Sequence, residues 1–130
     1  MALQTYPNST LGNNPSSVAL TMREGSNLNI NTALIDVSGT AVNLTGYTIW
    51  FGYSYYRGAT RIKTKSSHAG SGISLLDMAG GTFQISLNPV DTTGYKGDFF
   101  YETKVISSSN VEDIIMAGRL TILPSITYDL

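Results

Sequence analysis

The sequence predicts an all-β sandwich, and three observations predict it. Apolar and aromatic residues recur with a period of two in short runs, as in Tyr47, Ile49 and Phe51 set between Thr48 and Trp50. That alternation marks a strand with one buried face. Clusters of Gly, Asp, Asn and Ser punctuate the runs at regular intervals, where tight turns need them. No stretch of ten residues carries the spacing of an amphipathic helix. About seven to nine short strands of this kind suit two packed sheets with Greek-key pairing, with a closed barrel as the alternative.

The elements follow in order. Residues 1–16 are polar and aperiodic, with Pro7 and Pro15, and read as an extended N-terminal arm. Residues 17–130 are expected to form the sandwich. Val18, Leu20 and Met22 alternate up to a turn at Arg23–Ser26, and Leu28, Ile30, Thr32 and Leu34 alternate up to a turn at Asp36–Thr40. Gly46 then opens the aromatic strand that runs to about Tyr55. Thr60–Ser66 is a charged strand suited to a sheet edge, because charged side chains discourage edge-to-edge pairing. Ile73–Leu76 leads to the turn Asp77–Gly81, and Phe83, Ile85 and Leu87 alternate until Pro89. Asp91–Gly97 is a corner, followed by Phe99, Tyr101, Thr103 and Val105 on one face. Ser107–Asn110 is a hairpin loop, and a last strand runs from about Glu112 to Leu123.

Composition excludes several function classes. The chain of 130 residues is long enough for one domain with a real core. Only 13% of residues are charged and the formal net charge is -1, so no basic footprint for nucleic acid exists. The surface is instead rich in Ser, Thr, Asn and Gly, which suits packing against other proteins. No apolar run approaches a membrane span, and the first residues lack the charged start and apolar centre of a signal peptide. With no cysteine, disulfides and thiolate metal sites are absent, which is compatible with assembly in a cytosol. The sequons at Asn8 and Asn43 are short enough to be chance matches.

Several segments carry a resemblance. Asn27–Tyr47 ends in Asn43-Leu-Thr-Gly-Tyr47. Ile73–Leu87 contains Ala79-Gly-Gly-Thr-Phe83. Asn88-Pro-Val-Asp-Thr-Thr-Gly94 and Gly97-Asp-Phe-Phe-Tyr-Glu-Thr-Lys-Val105 follow, and Ala117-Gly-Arg-Leu-Thr-Ile-Leu-Pro124 closes the set. In this order, from about Asn27 to Ile126, the chain resembles the immunoglobulin-like domain at the N-terminus of phage baseplate upper proteins and in small phage structural proteins. The resemblance implies an immunoglobulin-like fold and a virion component that contacts other virion proteins without catalysis. Residues 1–26 lie largely outside it, and a chain ending at Leu130 is expected to lack the C-terminal region of the long baseplate proteins.

Candidate chemistry is sparse. A nucleophilic triad needs a base, and the only histidine, His68, sits in a Gly/Ser loop with Ser66, Ser67 and Ser71, where nothing orients a constellation. With one histidine and no cysteine a zinc site would need carboxylates for most of its ligands, which is uncommon, and no segment has calcium-loop spacing. Asp91 reads as a turn-former accepting backbone N–H groups. A glycosidase pair drawn from Asp91, Asp98, Glu112 and Asp113 would need a cleft that sequence does not show. No catalytic residue, metal site or cofactor is therefore assigned.

The candidate interface residues are Tyr6 and Leu11 in the arm, Trp50, Tyr55 and Tyr56 in the aromatic strand, and the basic set Arg57, Arg61, Lys63 and Lys65. On a strand, Arg61, Lys63 and Lys65 would share one face, as a solvated edge or as a patch for an acidic neighbour. The arm reads either as a free terminus or as a strand lent to a neighbouring subunit. The expected function is a non-enzymatic phage virion protein, a capsid decoration or a tail or fibre adaptor, with other virion proteins and further copies of itself as partners. The expected location is the virion. The alternative is a carbohydrate-binding domain that holds bacterial surface glycan on exposed aromatics.

Overall fold

A computed structural model of the chain describes residues 2–5, 9–10, 16–56, 61–68 and 70–124. The strands are β1 (Ala2–Thr5), β2 (Ser9–Thr10), β3 (Ser16–Ser17), β4 (Leu20–Arg23), β5 (Leu28–Ile35), β6 (Thr48–Ser54), β7 (Lys63–Ser66), β8 (Ile73–Asp77) and β9 (Thr82–Leu87). One helical turn, α1 (Pro89–Thr92), precedes β10 (Gly97–Ile106) and β11 (Glu112–Leu123). They form two sheets. The first has the order β1-β5-β9-β8 with β2 also on β5; the second runs β3-β11-β10-β6-β7 with β4 also on β11. The chain crosses between the sheets after β2, β4, β5, β7 and β9, which makes a Greek-key sandwich and not a closed barrel.

Period two places the core. Leu28, Ile30, Leu34, Phe83, Ile85 and Leu87 of the first sheet are all at most 1% exposed. They pack in one cluster with Ile49, Phe51, Tyr53, Phe99, Tyr101, Leu120 and Ile122 of the second. Each such side chain withdrawn from water contributes about 1.5–3 kcal/mol. A surface pair such as Arg119–Asp98, with both side chains more than half exposed, contributes about 0–1 kcal/mol. The apolar core decides stability.

The segment read as a separate arm belongs in part to the sheets. β1 and β2 run parallel to β5, with Ala2 opposite Leu28 and Ser9 opposite Leu34, and β3 runs parallel to β11, with Ser16 opposite Met116. The pairing is within the chain itself. It escaped the sequence because a strand held by backbone hydrogen bonds at a sheet edge needs no apolar alternation of its own. Pro7, Pro15, Tyr6 and Leu11 lie outside the described residues. Just beyond, Val18 fixes the seam: its amide donates to the Ala117 carbonyl at 3.2 Å, and its carbonyl accepts the Tyr101 hydroxyl at 2.5 Å. A side chain at Gly118 would place Cβ 2.5 Å from the Val18 oxygen, so this close approach needs glycine.

Burial also leaves a hydroxyl orphaned. Thr103 is fully buried where the β10–β11 register shifts, and its Oγ1 has no hydrogen-bond partner among the described residues. Thr103→Val replaces an unsatisfied hydroxyl with a methyl of like shape, and is expected to raise stability by about 1 kcal/mol. A shift of the urea midpoint to lower concentration would show that the hydroxyl is bonded after all.

Candidate functional site

The β9–β10 corner is the most polar part of the interior. Pro89 starts α1, where its missing N–H costs nothing. Asp91, 5% exposed, accepts the Asn88 amide at 2.7 Å and pairs with Lys65 Nζ at 2.8 Å through the same Oδ2. Its backbone carbonyl accepts the Tyr53 hydroxyl. Burial, and then the Asp91 charge, pushes the Tyr53 phenol far above its ordinary range. Glu24 closes the corner from the other side, accepting the Gly94 amide at 2.7 Å, with Lys96 Nζ 3.8 Å from its second oxygen. Asp91 is thus the turn-former the sequence suggests, with an ion pair that sequence does not reveal.

That ion pair divides the basic set. Lys65 lies opposite the inward-facing Phe51 and turns toward Asp91, so its side chain is only 13% exposed. Lys63 lies opposite Tyr53 and is half-buried. Arg61 precedes β7 and folds the other way, over Gly52 on the outer face. The three do not form the shared face that strand alternation predicts, because the strand begins only at Lys63. β7 itself is the edge of its sheet, as expected. Arg57 lies outside the described residues.

The outer face of the second sheet carries a groove of about 500 Å³. Registers explain it. Trp50 and Gly52 point outward from β6, and Lys104 and Glu102 stand opposite them on β10. Thr64 of β7 stands opposite Gly52 on the other side. Since Gly52 has no side chain, a floor opens between these neighbours, and a Cβ there would meet Arg61 Cδ at 2.7 Å. Trp50 is half-buried, with its ring edge-on to exposed His68 at 5.5 Å. Lys104 is engaged with Glu112 at 2.9 Å.

Of the sequence candidates, Trp50 and Arg61 meet in this groove. Tyr55 and Tyr56, 59% and 66% exposed, stand apart beyond the end of β6, where Tyr55 leans on Phe99 at 5.4 Å. Glu102, Thr64 and Gly52 went unnoticed in sequence because only the register brings them together. Among the described residues no group of three His, Asp or Glu side chains is placed to hold a metal, and no helix is long and apolar enough to cross a membrane.

The sheet order defines the class. A five-stranded sheet, β1-β5-β9-β8 with β2 also on β5, faces a sheet in which β11, β10 and β6 are extended by the edge strand β7. This is an immunoglobulin-like sandwich. Where antibody domains join their sheets by a disulfide, this chain has no cysteine and stacks Phe51 on Tyr101 within the second sheet at 5.7 Å. The hydroxyl that ties the β9–β10 corner comes from Tyr53 on β6, whereas antibody domains use a tyrosine at the corner itself.

Solved structures share this fold. The N-terminal domain of phage TP901-1 ORF48 is similar over 95% of this chain and 99% of its own, with a TM-score of 0.61 and 11% identity. A chicken TCR chain is similar over 86% of this chain, with a TM-score of 0.55 and 16% identity; the match spans 56% of that chain. No protein-family profile and no curated protein sequence matches the chain.

Proposed function

We propose that this chain is a non-enzymatic structural protein of a phage virion, a capsid decoration or a tail or fibre adaptor that acts through protein–protein contacts. The observation that carries the reading is the end-to-end likeness to the phage TP901-1 ORF48 N-terminal domain, which that domain matches over 99% of its length. The surface supports it, with few charges and many hydroxyl and amide side chains. Exposed apolar residues also lie on the turns at one end of the sandwich, Val37 at 74%, Met78 at 41% and Val111 at 64% exposure. Such residues gain free energy when a neighbour covers them. Repeated copies on a symmetric particle would add avidity to weak single contacts.

Cryo-electron microscopy of intact phage particles from the source of this sequence is the test. The sandwich is expected on the capsid lattice, or at the tail or collar, with the Val37–Met78–Val111 end against a neighbouring subunit. Its absence from purified particles would overturn the reading.

A further inference from the structure

We propose that the groove on the outer face of the second sheet binds a saccharide unit, with Trp50 stacking on the ring face and Arg61, Thr64 and Glu102 hydrogen-bonding its hydroxyls. The proposal goes beyond the structural role above and does not depend on it. Four observations carry it.

The first is shape. The groove holds about 500 Å³, within the roughly 300–1,000 Å³ of small-molecule sites. Its depth depends on Gly52, since any side chain there would run into Arg61 or approach the Lys63 carbonyl at 3.3 Å. The second is the wall: Trp50 is an aromatic surface that the core does not consume, placed on the opposite side of β6 from Ile49 and Phe51.

The third is the mixture of polar groups. A sugar hydroxyl both donates and accepts, so its site needs both kinds of partner. Arg61 supplies donors only, Glu102 acceptors only, and Thr64 a hydroxyl that does either. A phosphate or carboxylate ligand would be drawn to Arg61 but leave Glu102 facing a like charge, and an apolar ligand would leave all three groups unsatisfied. The fourth is availability. Arg61 and Glu102 are both exposed, and neither takes part in an ion pair among the described residues, whereas Lys104 beside them is engaged by Glu112. Arg61, whose stem lies over Gly52, and Glu102, the register partner of Gly52 on β10, thus present opposite charges to a ligand in the groove.

The experiment is titration of the ¹⁵N-labelled chain with glucose, galactose, N-acetylglucosamine and rhamnose, each to roughly ten times a millimolar Kd. At least one sugar is expected to give saturable shifts of the Trp50 indole N–H and the Gly52 and Thr64 amides. Arg61→Gln and Glu102→Gln each remove a charged hydrogen-bond partner and should weaken binding about tenfold or more. Both side chains are exposed, so dispersed spectra will verify that the variants fold; should either fail to fold, Thr64→Val takes its place. No saturable shift with any of the four sugars, shifts confined to other surfaces, or unchanged affinity in the variants would each overturn the proposal.

Discussion

Asp91→Ala is expected to lower the stability of the chain by about 3–5 kcal/mol, the cost of breaking a buried ion pair by removing one partner. The carboxylate does two things at once. It accepts the Asn88 amide at 2.7 Å, which starts the helical turn, and it holds Lys65 at 2.8 Å. The alanine variant leaves an ammonium 13% exposed with no counter-charge, and an amide at the turn without its acceptor. The Tyr53 hydroxyl bonds to the Asp91 backbone carbonyl, so it survives the substitution only if the turn holds its place. Lys65→Met in the Asp91→Ala background removes the stranded charge and should restore part of the loss, since an apolar pair is tolerated where half an ion pair is not. Urea denaturation of the two single variants and the double variant measures this. A loss below about 1 kcal/mol for Asp91→Ala, the size of an exposed pair, would mean that the corner is held by its backbone alone.

Gly81→Ala should be nearly as costly, for a reason of backbone geometry. Gly81 sits at φ +73°, and a Cβ there would lie 2.5 Å from the Leu34 carbonyl oxygen and 2.9 Å from that of Val42. The left-handed conformation costs an alanine about 1–2 kcal/mol, and the forced shift of backbone adds roughly 1–3 kcal/mol more. The shift matters because Leu34 and Gly81 are joined there: the Leu34 amide donates to the Gly81 carbonyl at 2.8 Å. Gly39 provides the control. Its φ is +88°, yet nothing lies within 4 Å of its Cβ position, so Gly39→Ala should show the conformational cost alone. Chemical denaturation of both variants separates the two effects. Equal losses at the two positions would dismiss the close approach at Gly81 as a source of stability.

Much of the fold was legible because strand formation is local. Ile49, Phe51 and Tyr53 alternate with Trp50 and Gly52 in sequence, and the same alternation puts the first three in the core. The end of this strand was read as Tyr55 and falls at Ser54. The candidate site was less legible. Trp50 and Arg61 drew attention by residue type, yet Lys65, of the same type and on the same stretch, is turned inward by a carboxylate 26 positions away.

By itself the sequence determined the class of fold, the strand and turn boundaries from β4 onward to within a few residues, most of the core, and the lack of cysteine chemistry. These follow from side-chain period and turn propensity, which act between near neighbours. Tertiary structure decided the rest: that the N-terminal strands pair parallel to β5 and β11, that Asp91 is an ion-pair partner, and that Gly52 opens a groove between Trp50, Thr64 and Glu102. Each of those depends on register between segments far apart in the chain. Backbone pairing supplies that register whatever the side chains beside it, so no local pattern encodes it.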